Sequence, residues 1–198
     1  MKVVLVDSGG ANIGSVRYAL ERFGVDAPLT ADVEAIRSAD RVILPGVGAA
    51  AAAMARLEEL GLVELLRTLP QPLLGICLGM QLLFESSAEG NVACLARIPA
   101  RVAPMAPAPG IRVPHMGWNR LRHAGGDPIL SGIADGAQAY FVHGYAAPVG
   151  EWTVAASTHG APFSAVVRSG RCWGAQFHPE RSGDIGAKLL RNFLEVPA

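Results

Sequence analysis

The chain has 198 residues, of which 51% are hydrophobic and 17% are charged. This length suits one domain with a large buried core, so we expect a single domain over residues 1–198. The 17 Lys and Arg balance the 17 Asp and Glu without any dense basic run, which excludes strong electrostatic attraction to nucleic acid or to an anionic membrane.

We expect neither export nor membrane insertion. The apolar amino-terminal run meets an acid at Asp7, too early for a secretory signal. The alanine run at 49–53 is far shorter than the roughly 20 apolar residues that span a bilayer. The cysteines, Cys77, Cys94 and Cys172, are odd in number and widely spaced, which fits reduced thiols better than a disulfide framework. The sequence therefore predicts a cytoplasmic protein without a membrane partner.

The first half of the chain predicts strands that alternate with helices. The predicted strands cover residues 3–6, 41–44 and 72–76. A predicted helix follows each strand: the first ends at Gly24, the second covers 49–60 and the third covers 78–85. Asn12 can cap the first helix, Gly24 supplies a left-handed stop, and the segment 45–48 breaks the second strand. Because parallel strands need crossover connections, this pattern predicts a mostly parallel sheet with helices on both faces.

The second half predicts a different organisation. Residues 97–114 are rich in proline, which excludes a central strand there and favours a surface excursion. Short strand-like segments, which we interpret as added antiparallel strands, follow around 140–142, 153–157, 163–167 and 172–177. Ser182 can cap a last helix, in which Ile185, Leu189 and Phe193 recur at helical spacing.

Cys77 lies in a turn between a predicted strand and a predicted helix, with Gly75 and Gly79 two residues to either side. Small neighbours allow the sharp turn of a nucleophile elbow, and the helix amino terminus behind the thiol favours the thiolate and offers N–H groups to an oxyanion. A cysteine taken alone is as often a buried apolar residue. The two glycines favour the nucleophile.

The segment 178–180 (His-Pro-Glu) supplies a base and a carboxylate. In an extended segment, residues two apart point the same way, so Glu180 can hold one ring nitrogen of His178 while the other faces the thiol. The spacing alone leaves open a surface histidine beside a solvated glutamate. The histidines lack the spacing of a zinc site, and we expect no metal or cofactor.

Two glycine-rich turns offer backbone N–H groups. The segment 45–48 (Pro-Gly-Val-Gly) follows the second strand, at the sheet end that carries Cys77, and can hold an oxyanion or can be a simple strand-to-helix turn. The segment 8–14 departs from the dinucleotide-binding order of glycines, so we reject that interpretation.

These motifs together resemble a known family. The segments 72–81 (Pro-Leu-Leu-Gly-Ile-Cys-Leu-Gly-Met-Gln) and 176–180 (Gln-Phe-His-Pro-Glu) are similar to those of the class I, or triad, glutamine amidotransferases. Further segments narrow the resemblance to one branch of this family, the glutaminase subunits of imidazole glycerol phosphate synthases. These segments are 45–48, 113–119, 140–143 and 181–183. The resemblance extends from Asp7 to the last helix, and 113–119 (Val-Pro-His-Met-Gly-Trp-Asn) is its specific marker.

The resemblance implies a flavodoxin-like three-layer α/β fold. It also implies that this chain hydrolyses glutamine and that a partner subunit uses the ammonia. Cys77 would attack the side-chain amide of L-glutamine, His178 would shuttle protons and Glu180 would orient it. Ammonia would pass to a barrel-shaped cyclase partner in a heterodimer, which makes imidazole glycerol phosphate and an aminoimidazole carboxamide ribotide for histidine biosynthesis.

The resemblance also assigns the remaining site residues. The oxyanion would be held by N–H groups of Leu78 and of the strand formed by Gly46, Val47 and Gly48, which in this family flips before it is competent. The positions that match glutamine-binding residues are Gly48, Gln81, His143, Gly144 and Tyr145. The positions that match the partner interface are Asn12 and Trp118, although Trp118 can also be an ordinary surface aromatic.

The sequence departs from the family pattern at Ser8, Ala50 and Gly144, where Tyr, an aromatic residue and Ser or Thr are usual. Gly144 keeps a backbone donor, so glutamine binding survives this change. The pair Ala93-Cys94 lies where glycine is usual, and we expect Cys94 to be a buried spare thiol and not a second nucleophile. Alternatives to the assignment are the glutaminase of another amidotransferase, such as one serving anthranilate or pyridoxal phosphate synthesis, a stand-alone cysteine hydrolase, and a non-catalytic binding subunit.

Overall fold

The computed structural model of the chain describes residues 1–9 and 13–197. The strands are β1 (Val3–Val6), β2 (Leu29–Thr30), β3 (Arg41–Gly46), β4 (Leu73–Cys77), β5 (Phe84–Ser87), β6 (Val92–Ala93), β7 (Ile98–Pro104), β8 (His115–Arg120), β9 (Gln138–His143), β10 (Tyr145–Ala146), β11 (Thr153–His159), β12 (Ala161–Ser169) and β13 (Cys172–Ala175). The α-helices are α1 (Ile13–Glu21), α2 (Val33–Arg37), α3 (Ala50–Glu59), α4 (Val63–Thr68), α5 (Leu78–Leu82) and α6 (Gly183–Glu195). Short 3-10 turns cover Pro128–Leu130 and Pro179–Arg181.

The central sheet has the strand order β11-β12-β13-β4-β3-β1-β2. Strands β2, β1, β3, β4 and β13 are parallel, and β12 and β11 continue the sheet as antiparallel strands. Successive residues of β1 enter opposite cores, with Val3 and Leu5 packed on one face and Val4 and Val6 on the other. Such a strand must be covered by helices on both faces, which explains its continuous apolar run. The predicted three-layer α/β architecture is confirmed.

The second predicted strand does not break at residue 45. Strand β3 continues through Pro45 and Gly46, which pair with Ile76 and Cys77 of β4. The ladder between β3 and β1 runs to Leu5 and Ile43, so Pro45 lies beyond it, where the missing N–H costs no ladder hydrogen bond on that side. The extra residues carry the end of β3 next to the nucleophile.

The proline-rich segment 97–114 contains a strand that the sequence excluded. Strand β7 lies inside a smaller sheet of order β10-β7-β5-β6. The ladder between β5 and β7 shifts register between Phe84 and Ser86, opposite the stretch that contains Pro99, so a bulge accommodates the proline. The same pairing ends α5 at Leu82, and the helix predicted to residue 85 gives way to β5.

The carboxyl-terminal half differs from prediction in two further details. Strand β13 is parallel to β4, and only its other edge pairs antiparallel with β12. Ser182 precedes α6, but its side chain does not cap the helix; its hydroxyl donates to the carbonyl of His178 at 2.7 Å and accepts from the N–H of Tyr140. Ser182 therefore ties the end of the 3-10 turn to β9. Among the described residues, every helix is too short or too polar to cross a bilayer.

Candidate active site

Cys77 lies where β4 ends and α5 begins, and its backbone is strained. Its φ of 54° and ψ of −110° are unusual for a residue with a side chain. The side chain is nearly buried, with Sγ 3.8 Å from the carbonyl of Val142 and 3.9 Å from Nε2 of Gln176. The surroundings must hold this turn in place, which is the geometry of a presented nucleophile.

Three glycines make that turn possible because backbone packs directly on backbone around it. A Cβ added to Gly79 would lie 1.8 Å from the carbonyl oxygen of Leu44, and one on Gly75 would lie 2.6 Å from that of Gly79. A Cβ on Gly46 would lie 2.8 Å from the N–H nitrogen of Gly79. The predicted role of Gly75 and Gly79 in the turn is thereby explained by the close approach of both β4 and β3 to α5.

We expect Gly79→Ala to lower the free energy of unfolding by at least about 3 kcal/mol, because the added methyl group overlaps a buried backbone carbonyl. The matched control is Gly61→Ala, where φ is 66° but the surrounding space is open, and there we expect a cost of about 1 kcal/mol. Urea unfolding measures both, and equal costs for the two variants would contradict the packing argument.

His178 and Glu180 form a buried pair beside Cys77. Nδ1 of His178 lies 2.9 Å from Oε1 of Glu180, and the two side chains are 9% and 1% exposed. The sequence predicted that an extended backbone brings the two side chains together, and this prediction is wrong. Glu180 lies in the 3-10 turn that follows His178. This turn closes with a hydrogen bond from the N–H of Arg181 to the carbonyl of His178. Burial disfavours a charged ring, but hydrogen bonds and charge attraction from Cys77 and Glu180 outweigh it and raise the pKa of His178 to about 10. The pair therefore favours the imidazolium form of the ring.

A cavity of about 190 Å³ opens onto Cys77. Most of the residues predicted for the oxyanion and for glutamine line it, namely Val47, Gly48, Leu78, Gln81, His143, Gly144 and Tyr145. Gly46 is the exception, because it is buried at the end of β3 against α5. Leu78 is the first residue of α5, where backbone N–H groups lack partners within the helix.

Gln81 links the lining of this cavity to Gln176, which lies outside it. Its Nε2 donates to the carbonyl of Tyr145 at 3.0 Å and to Oε1 of Gln176 at 2.9 Å. These bonds use both donor hydrogens, so the carbonyl oxygen of Gln81 is the atom that can meet a ligand. Gln176 in turn donates toward the sulfur of Cys77. Gln176 belongs to the recognised motif, but its link between Gln81 and Cys77 is visible only in the structure.

Glu89 also lines the cavity, and no pattern in the sequence pointed to it. Its Oε2 accepts a hydrogen bond from the N–H of Ala50 at the start of α3, 2.8 Å away. This bond fixes a carboxylate in the wall of a cavity that already contains Cys77. The cavity can therefore hold a cationic group beside Glu89 and an acyl carbon beside Cys77.

Of the two predicted interface residues, only Trp118 lies in the part of the chain that the structure describes. Asn12 lies outside the described residues. Trp118 is 55% exposed on β8, next to Met116 at 65%, and its ring meets Tyr140 edge-on at 5.8 Å. Tyr140 is half-buried, and the Arg181 guanidinium stacks over its ring at 4.8 Å. These residues form an exposed apolar patch beside the end of the triad segment.

Residues that depart from the family pattern have defined environments. Ser8 is buried, and its hydroxyl donates to the carbonyl of Pro45 at 2.7 Å. Gly144 has space beside its Cα, with Pro114 and Val113 no nearer than 3.9 Å to an added Cβ. Cys94 is fully buried, and burial raises the pKa of its thiol to about 11, so it is a neutral thiol as predicted.

Comparison with known proteins identifies the family. A sequence model described as "Glutamine amidotransferase class-I" matches residues 4–196. A relative from Xanthomonas euvesicatoria pv. vesicatoria, named "Imidazole glycerol phosphate synthase subunit HisH", is 62% identical over 98% of this chain and 97% of its own. A relative of the same name from Xylella fastidiosa strain 9a5c is 58% identical over 100% of this chain and 98% of its own. The chain belongs to the HisH branch of the class-I glutamine amidotransferases.

Solved structures agree with this fold. A protein described as a "putative gmp synthase subunit a protein" from Thermoplasma acidophilum superposes with a TM-score of 0.76 at 19% identity, covering 98% of this chain and 92% of that one. PurLQS from Thermotoga maritima gives a TM-score of 0.69 at 20% identity, covering 98% of each chain. At these identities the similarity concerns the fold alone.

Proposed function

We propose that the chain is the cytoplasmic glutaminase subunit of imidazole glycerol phosphate synthase in histidine biosynthesis. It hydrolyses L-glutamine to glutamate and ammonia, and it delivers the ammonia to a barrel-shaped cyclase subunit in a heterodimer. The observation that carries the proposal is the strained Cys77, which opens onto a cavity and hydrogen-bonds with the side chain of His178, in a chain of the HisH branch.

The triad supports a two-step hydrolysis. The thiolate of Cys77 attacks the side-chain amide carbon, and the imidazolium of His178 gives its proton to the departing nitrogen, so that ammonia leaves and a thioester forms. Water then attacks the thioester, and His178 takes the proton from that water while the thiolate departs. Glutamate is released and Cys77 is restored. Glu180 keeps the ring oriented and supports its charge in both steps.

Backbone donors around Cys77 would stabilise the oxyanion of each tetrahedral intermediate. The N–H of Leu78 points from the beginning of α5, and the segment 46–48 carries further N–H groups at the end of β3. Gly48, with a φ of 94°, lies in the cavity wall and adopts a backbone conformation that favours glycine. This freedom suits a segment that must change conformation when the substrate and the partner are bound.

Polar groups of the cavity can recognise the amino-acid end of glutamine. The carboxylate of Glu89 matches the α-ammonium group in charge, and the carbonyl of Gln81 and the backbone of Gly144 and Tyr145 add hydrogen-bonding groups. Selectivity for an α-amino acid over a simple amide then resides in these polar groups.

Glu89→Gln should therefore raise the KM for glutamine by about 10- to 100-fold and leave kcat within about twofold, because a charged hydrogen bond to the substrate is lost. The amide oxygen of Gln still accepts from the N–H of Ala50, so the start of α3 is preserved. Steady-state glutamate release by the complex measures both constants. Glu85→Gln, a change at an exposed glutamate on β5, is the control; equal KM values for the two variants would remove Glu89 from the substrate site.

The partner assignment is tested by following the nitrogen atom. The complex is given glutamine labelled with ¹⁵N in its side-chain amide together with excess unlabelled ammonium. Direct transfer between the subunits keeps the label in the imidazole product, because the ammonia does not mix with the solvent pool. Dilution of the label to the solvent ratio would contradict delivery of ammonia to the partner. The exposed patch around Trp118 is the surface that we assign to that partner.

A further inference from the structure

Three histidines pack together beside the glutamine cavity, and one of them, His143, lines it. His115 on β8 is paired in register with His143 on β9, and Nδ1 of His115 lies 3.0 Å from Nε2 of His143. His159 stacks on His115 with ring centres 4.1 Å apart, while its own Nε2 bonds to the carbonyl of Arg112. His115 and His143 are buried, and the proposed triad chemistry uses none of the three.

The contacts of this cluster fix the direction of each hydrogen bond. Nδ1 of His143 lies 2.8 Å from the carbonyl of Tyr145, which only accepts, so this nitrogen must carry a proton. In a neutral ring the other nitrogen, Nε2, is then an acceptor, and His115 must donate to it from Nδ1. Nε2 of His115 is in turn the acceptor for the amide of Asn119, 3.3 Å away. One order results, with Asn119 donating to His115, His115 to His143, and His143 to Tyr145.

Burial keeps both rings neutral, as this order requires. Burial and the neighbouring His143 and His159 lower the pKa of His115 to about 4. Burial, with smaller contributions from His159 and His178, likewise lowers the pKa of His143 to about 4, although the carbonyl of Tyr145 opposes the shift. A proton added to Nε2 of His143 would face the N–H of His115, donor against donor.

The chain of hydrogen bonds ends at a carbonyl that shapes the cavity. The carbonyl of Tyr145 accepts from both His143 and Gln81, and Gly144, Tyr145 and Gln81 all line the cavity. Nearby on β9, Val142 presents its carbonyl to Sγ of Cys77. A rotation of the His143 ring would release the Tyr145 carbonyl and, with it, the amide of Gln81.

We infer that His115 is a positioning residue of the glutamine site, which holds His143 in its Nδ1-protonated form and so fixes the Tyr145 carbonyl and the Gln81 amide against the substrate. This inference deepens the proposed function and rests on it. His115 lies in the segment 113–119 that marks the branch, and it acts through His143 without touching the substrate cavity itself.

The test compares three variants in the assembled complex. His115→Phe keeps an aromatic ring against Phe141 and His159 but removes the donor, and it should raise the KM for glutamine about tenfold with kcat within about threefold. His115→Asn places an amide nitrogen where Nδ1 was, and it should restore most of the affinity. His159→Phe, a matched control, alters the same stack without touching His143 and should leave KM within about twofold. Thermal unfolding checks that each variant is folded.

Two further measurements separate failure of the inference from failure of the proposed function. In wild-type protein, ¹⁵N chemical shifts of the imidazole rings should show both His115 and His143 neutral at pH 7 with the proton on Nδ1; a proton on Nε2 of either ring would overturn the inference whatever the activity. Calorimetry of glutamine binding to Cys77→Ala protein in the complex tests the function. If that protein binds glutamine and His115→Phe does not weaken the binding, His115 has no positioning role.

Discussion

Cys77→Ala should reduce glutamate release by the complex at least about a thousandfold, down to the background rate. The sulfur of Cys77 is the atom that would form the thioester. The groups that remain in the site after its removal can only bind the substrate and polarise its amide. The variant should still fold, because the methyl group fills part of the nearly buried pocket of the thiol and adds no atom to the crowded turn. Circular dichroism and an assay for glutamate measure both.

Cys94→Ala is the matched control, since it removes a buried thiol that lies outside the cavity. Its rate should stay within about twofold of wild type. Undiminished glutamate release by a folded Cys77→Ala protein would reject Cys77 as the nucleophile. Loss of activity in both variants would indicate that thiols in this fold matter for packing and not for chemistry.

Glu180→Gln should lower the rate of glutamate release by about a hundredfold or more. A neutral amide withdraws the charge that supports the imidazolium, and its N–H₂ group can turn toward Nδ1 of His178 and select the wrong tautomer. Because Glu180 helps to raise the pKa of His178, its loss lowers that pKa. The alkaline limb of the pH–rate profile, where His178 loses its proton, should therefore move to lower pH.

The pH profile distinguishes this role from a structural one. Glu151→Gln, a change at an exposed carboxylate, provides the comparison and should leave both the rate and the alkaline limb in place. A Glu180→Gln protein that is slow but keeps the wild-type alkaline limb would show that Glu180 does not support the charge on His178.

The sequence sufficed for those features that depend on neighbours along the chain. The buried run of β1, the glycines around Cys77 and the spacing of His178 and Glu180 each report a local requirement, namely two covered faces, a tight turn and a reachable carboxylate. Such requirements restrict the residue types at fixed spacing, so these features can be predicted from the sequence alone.

Other features depend on contacts between distant segments and could not be predicted. Strand β7 tolerates Pro99 only because its partner β5 shifts register there. The hydroxyl of Ser182 binds to β9 and does not cap α6, because the fold brings the N–H of Tyr140 within hydrogen-bonding distance of it. Glu89 enters the cavity from the loop after β5, and its position there depends on the N–H of Ala50 at the start of α3. No local pattern encodes these three contacts.

Glutamate release from glutamine by the purified chain, alone and after addition of the cyclase subunit with its ribonucleotide ligand, tests whether this chain is a glutaminase that serves a cyclase. We predict a low rate for the chain alone and a strong increase with the loaded partner, because the segment 46–48 must become competent to hold the oxyanion. A fast rate that ignores the partner would indicate an independent cysteine hydrolase, and no glutamate release in either case would contradict the glutaminase function.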